Sequence, residues 1–179
     1  MSSEVKNYNL LARLLHWGSA LIIFGMFAVG LWMVDLNYYS SWYQTAPHWH
    51  KSIGVLLALI TIIRIIWKLV SAAPKIEGSA LEKMSAHAVH RLLYVLMFVL
   101  FISGYLISTS DGRGVEVFDW FTVVGLGEWF PNQSDISGIV HYYSAIILIG
   151  FAVLHAAAAI KHHIVDKDNT LRKMIGASK

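Results

Sequence analysis

The chain has 179 residues, of which 56% are hydrophobic and 14% charged. An ordinary soluble domain carries roughly a quarter charged residues, so this chain has too few charges to wet its own surface. It contains no cysteine, which excludes disulfides, thiolate metal sites and the C-x-x-C-H attachment of a covalent haem, and leaves nine histidines as the main source of ligand chemistry. The length suits a single domain over residues 1–179, with no internal repeat or low-complexity tract.

Spanning a bilayer core takes about 20 mostly apolar residues, and four segments qualify in chain order: Leu15–Val34, Trp49–Val70, Ala88–Thr109 and Gly138–Ile160. Lys6 and Arg13 precede the first, as in a signal peptide. Its apolar stretch is nevertheless long enough to span, and no small-residue cleavage site follows, so it reads as a retained helix. Turn chemistry separates the runs at Ala46-Pro47, Ala73-Pro74, Asp111-Gly112 and Pro131-Asn132. Between the last two runs, Val117-Phe118-Asp119-Trp120-Phe121 reads either as a short amphipathic segment lying flat in the interface or as a surface loop with aromatic anchors. The expected fold is all-α, a membrane four-helix bundle.

Orientation follows from the basic residues. Lys6 and Arg13 lie at the start of the first run, Arg64, Lys68, Lys75, Lys83 and Arg91 surround the second connection, and Lys161, Lys167, Arg172, Lys173 and Lys179 follow the fourth. Only Lys51 and Arg113 fall on the other side, so both termini are expected in the cytoplasm. Trp32, Trp42, Trp49, Trp120 and Trp129 gather at the opposite face as an aromatic belt.

Histidine inside a span points to function. His141 and His155 are fourteen residues apart on the fourth run, so they share one helix face about 21 Å apart along the axis. His16 opens the first run at the inner face and His50 opens the second at the outer face. Each histidine of the fourth helix thus has a partner at its own depth, His155 with His16 and His141 with His50. Two facing imidazoles are what a six-coordinate haem iron needs, and a bundle core is a usual place for it. Room for a porphyrin is expected from Gly54, one turn after His50, and from Ser19 and Ala20 after His16. A single histidine near a helix end is ordinarily an interfacial residue, but four at two matched depths fit that explanation poorly. A His-lined ion or proton path is the rival reading, although such relays also recruit intramembrane Asp or Glu, and these spans hold none. His48 competes with His50, which is preferred because of Gly54. His87 and His90 read as exposed interfacial residues, the alternative being that they line a substrate pocket beside the inner pair, and His162 and His163 close the fourth helix.

At these residues the chain resembles the bacterial cytochrome b-561 family over nearly its whole length. The matching pieces are Leu15-His16-Trp17, His50-Lys51-Ser52-Ile53-Gly54, His87-Ala88-Val89-His90, and Leu154 to His163 followed by Lys167-Asp168-Asn169-Thr170-Leu171. The resemblance implies an inner-membrane cytochrome with two non-covalent b haems ligated by His16, His50, His141 and His155, exchanging electrons with the quinone pool, ubiquinone being the expected redox partner. Arg13, Trp17 and His162 are then the candidates for the quinone site or haem edge. Membrane lipid and a partner redox subunit are further expectations, and no nucleic-acid partner is expected. One branch of the family oxidises superoxide, drawn in by a positive outer funnel. Here the outer loops hold Asp35, Asp111, Glu116, Asp119, Glu128 and Asp135 against Lys51 and Arg113, so superoxide oxidation stands as the alternative.

Overall fold

The computed structural model describes residues 5–177. Lys179, counted above among the basic residues of one side, lies outside them. Four helices, α1 Leu10–Val34, α2 Thr45–Val70, α3 Ala80–Thr109 and α4 Gln133–Ile164, are each long and apolar enough to cross a membrane. The first three end where the apolar runs end, but all four begin earlier than hydropathy alone suggests. Polar capping accounts for this at two of them. The Asn9 side chain accepts from the Ala12 amide at the head of α1, and Ser79 and Glu82 form a reciprocal capping box at the head of α3. A cap satisfies the orphan amides of the first turn, so the helix continues beyond the apolar run into the polar boundary.

Along the bundle, α3 lies closely against α4 and α1 against α2, while the two pairs touch each other more sparsely. The buried core is small: Leu96 and Met97 of α3 and Leu148 of α4, with Ile23, Phe101 and Phe151 packed around them. Most other large apolar side chains face outward, as they do in a protein whose solvent is lipid. Three buried hydroxyls inside the bundle are satisfied by their own helix. Ser19 donates to the Leu15 carbonyl (2.6 Å), Thr61 to Leu57 (2.8 Å) and Thr109 to Tyr105 (2.9 Å).

Between α3 and α4 the expected loop contains a two-stranded antiparallel hairpin, β1 Val115–Val117 and β2 Phe121–Val123, with Val117 opposite Phe121. The stretch 117–121 is therefore the hairpin's turn region and not a helix lying in the interface, which agrees with the surface-loop reading. Phe118 takes a left-handed φ of 47° at the turn and packs edge-on against Trp49 and His48 of α2. Val115 and Val117 point inward, and fully buried Ser52 of α2 holds the strand, donating to the Glu116 carbonyl (3.3 Å) and accepting from the Phe118 amide (2.8 Å). Fully buried Gln133 ties the end of the loop to α3, donating to the Leu106 carbonyl (2.9 Å) and accepting from the Trp129 amide (2.8 Å).

The first and last described segments meet at the opposite face. A short helix, α5 Thr170–Ile175, docks there against α1 and the α2–α3 connection. The Arg13 guanidinium donates to the Ile175 carbonyl (2.8 Å), the Trp17 indole to Met174 (3.1 Å) and the Tyr8 amide to Lys173 (3.2 Å). Lys173 pairs with Glu77 (2.5 Å), whose other oxygen accepts from the Asn169 amide (3.1 Å). Gly176 ends α5 with φ 80°, and a side chain there would also run into Arg13.

Two outcomes follow from these contacts. Removing the Ser52 hydroxyl strands the Phe118 amide, which costs about 1–3 kcal/mol for a buried donor. Ser52→Ala is expected to speed deuterium exchange at residues 115–123 while leaving the four helices protected. The bonds from Lys173 and then from the Asn169 amide hold the Glu77 carboxyl below its ordinary value of 4.5. A depressed carboxyl stabilises the docked state above its ordinary value and loses that effect as pH falls through the depressed one. A nitroxide placed at Ala177 should thus be immobile at neutral pH and loosen only as pH falls below the ordinary carboxylate value, whereas in Lys173→Met it should be mobile at neutral pH.

Candidate functional site

His141, Leu148, His155 and His162 recur every seven residues on α4 and form one stripe. An antiparallel stripe on α3 answers it: Gly104 meets His141, Met97 packs with Leu148, and His90 faces His155. The bundle therefore has three layers, with an apolar plug between two imidazole layers.

In the layer beside the hairpin, the His50 and His141 ring centres lie 6.3 Å apart with planes inclined 67°. In the layer beside the termini, His16 and His155 lie 6.2 Å apart, inclined 71°. A metal–imidazole nitrogen bond is about 2.0–2.1 Å and each ring centre lies about 1.1 Å beyond it, so two imidazoles on opposite sides of one metal have centres about 6.3 Å apart. Both pairs match that spacing. His48 is turned to Phe118 instead, at 6.1 Å, so of the two competing histidines it is His50 that meets His141.

Glycines clear the hairpin-side pair, but not the expected one. Gly54 faces Met26 of α1 at an ordinary contact distance. A Cβ at Gly30 of α1 would come within 3.2 Å of the His50 ring, and one at Gly104 of α3 within 3.2 Å of the His141 ring. These two positions let neighbouring backbones close on the imidazoles. On His141, Nδ1 lies 3.1 Å from the Leu100 carbonyl and 3.1 Å from the Ser103 hydroxyl. A carbonyl can only accept, so the proton belongs on Nδ1 and Nε2 is left with its lone pair. That is the tautomer a metal-binding histidine uses. The Nδ1 of His50 is buried without a hydrogen-bond partner among the described residues.

The termini-side layer is more crowded. His90, expected to be exposed, turns inward and stacks edge-on to His155 at 5.0 Å, whereas His87 is exposed. The seven-residue step from His90 to buried Met97 is the signal that distinguishes them. Arg64 of α2 places Nη2 2.6 Å from His16 Nδ1 and its guanidinium 5.5 Å from the Tyr94 ring centre, with Lys68 over the same ring at 5.4 Å.

The three residues expected at a quinone site or haem edge do not converge. Arg13 and Trp17 are engaged in holding α5. His162 instead lines an open polar cleft, together with Glu77, Lys83 and Lys173, and its Nδ1 bonds to Asp168 (2.8 Å) and Asp166 (3.0 Å). Glu82, His162 and Asp166 also bring three ligand atoms together. The Lys161 ammonium already bridges Glu82 (3.1 Å) and Asp166 (2.7 Å), which supplies the positive charge a cation would bring.

A four-helix membrane bundle with imidazole pairs at two depths is the architecture of a membrane haem protein. Comparison with known proteins agrees with it. A family profile described as prokaryotic cytochrome b561 matches residues 7–177. Cytochrome b561 homolog 2 of Escherichia coli is 43% identical over 97% of this chain and 93% of its own. Cytochrome b561 homolog 1 of the same organism is 25% identical over 76% and 78%. A probable superoxide oxidase, CybB, of Yersinia pestis is 27% identical over 95% and 96%. The chain belongs to the prokaryotic cytochrome b561 family. It is a multi-pass bacterial membrane protein of electron transfer, and the family's cofactor is haem b.

The glycine contacts make a directional prediction. Gly104→Ala is expected to push the His141 ring aside and lower the Soret absorbance per chain. Gly54→Ala, which meets only the flexible end of Met26, should leave it unchanged.

Proposed function

We propose that this protein is a di-haem b-type cytochrome carrying electrons across the bacterial inner membrane in exchange with the quinone pool. The observation that carries the reading is the spacing of the two imidazole pairs, 6.2 and 6.3 Å between ring centres, at two depths of one bundle. His16 and His155 would hold one haem and His50 and His141 the other. Haem b, when bound, would supply a one-electron iron couple held by these imidazoles.

The chain's own residues orient and insulate this chemistry. The Leu100 carbonyl and Ser103 set the ring angle of His141 and raise its basicity as a ligand. The plug of Leu96, Met97, Leu148 and Phe151 keeps water out of the space between the layers. The basic residues on the termini face favour a cytoplasmic location for both ends. The open cleft lined by His162, Glu77, Lys83 and Lys173 lies on that side, which supports quinone exchange there.

Superoxide oxidation is the second reading, favoured by the name of the relative from Yersinia pestis. It is weakened at the hairpin face, where Arg113 is paired with Asp111 at 2.5 Å and lends little field to an approaching anion.

The proposal is tested by haem stoichiometry of the purified chain, measured as pyridine haemochrome. About two b haems per chain are expected, falling toward one in His16→Ala and in His50→Ala. His48→Ala should keep both. A chain produced with ample haem that contains none would overturn the reading and favour a His-lined ion path.

A further inference from the structure

The termini-side layer holds a charge that the ligand scheme does not use. Arg64 is a permanent cation within α2, at the depth of His16. The four membrane helices contain only two carboxylates, Glu82 and Asp135, each in the first turn of its helix. Neither pairs with Arg64, which has no salt bridge among the described residues. Its neighbours are Lys68 across the Tyr94 ring and His16, which lies in one layer with His155 and His90. A cation surrounded by cations and imidazoles in hydrocarbon is costly unless an anion is supplied.

The contact with His16 sharpens the point. A guanidinium can only donate, so Nδ1 of His16 accepts in this contact. Ligation through Nε2 puts the proton of a neutral imidazole on Nδ1, and the contact becomes donor against donor. Arg64 then keeps the neutral Tyr94 hydroxyl as an acceptor, but the described residues offer it no carboxylate.

We propose that Arg64, backed by Lys68 across Tyr94, is the carboxylate-binding subsite for the propionates of the haem held by His16 and His155. This rests on the di-haem reading. The planar fork suits a carboxylate, and its position beside one layer only makes the two haems unequal: the nearby cation favours the reduced, less positive iron on the termini side.

The test uses the full chain made in haem-limited cells, placed in nanodiscs of neutral lipid and loaded with haem b or with haem b dimethyl ester, which lacks the carboxylates. Haem content and the midpoint potential of each haem are read in wild type, Arg64→Gln and Arg64→Lys. In Arg64→Gln, affinity for the termini-side haem should fall about tenfold or more, the loss of one charge-assisted bond. Its potential should fall, while the hairpin-side haem keeps its own. Arg64→Lys should restore most of the potential. With the dimethyl ester, wild type and Arg64→Gln should bind alike. Equal losses for haem and ester in Arg64→Gln, or no loss with either, would overturn the subsite while leaving two haems in the wild type. A wild type that takes up no haem would overturn the di-haem reading with it.

Discussion

Hydrocarbon offers no hydrogen bonds, so every polar group inside the bundle must find its partner in the protein or in a ligand. Most of the interior follows from that constraint. Ser19, Thr61 and Thr109 return their hydroxyls to the preceding turn. Gln133 and Ser52, both fully buried, hold backbone groups of the connection between α3 and α4 that would otherwise be stranded. The imidazoles gather in two layers, and there the Nδ1 of His50 is buried without a partner among the described residues.

The layers are spaced by helix periodicity. Seven residues bring a helical side chain back to nearly the same face, so His141, Leu148 and His155 present one stripe, and Gly104, Met97 and His90 answer from α3. Close packing of α3 on α4 fixes that register, and the sparser contact between this pair and α1–α2 leaves the imidazoles facing across the bundle. The two layers differ in their surroundings. His141 is oriented by a carbonyl and a hydroxyl, whereas His16 meets a guanidinium. Two chemically equal imidazole pairs thus sit in unequal surroundings.

The termini face is a second construction. Arg13 and Trp17 stand close enough in sequence to His16 to suggest work at its layer, yet their polar atoms are committed to the backbone of α5. That clasp joins the first helix, the α2–α3 connection and the C-terminal segment, so it steadies the helix that carries His16. His162 continues the α4 stripe by one more step but turns toward Asp166 and Asp168 once the helix leaves the bundle.

Local composition determined the four spans, their order, the clustering of basic residues on one side and the matched depths of four histidines, because hydropathy and helical spacing are properties of short stretches of chain. The family could be read from the same stretches. Hydropathy places the starts of α1 and α3 too late, because polar caps at Asn9 and Ser79 extend each helix beyond its apolar run. Only the tertiary structure decided which glycines clear the imidazoles, that His90 faces inward while His87 does not, that Arg64 touches His16, and that residues 115–123 form a hairpin on Ser52. Each of these depends on the rotation and register of helices distant in sequence, and packing between them sets those quantities, not the pattern within any one.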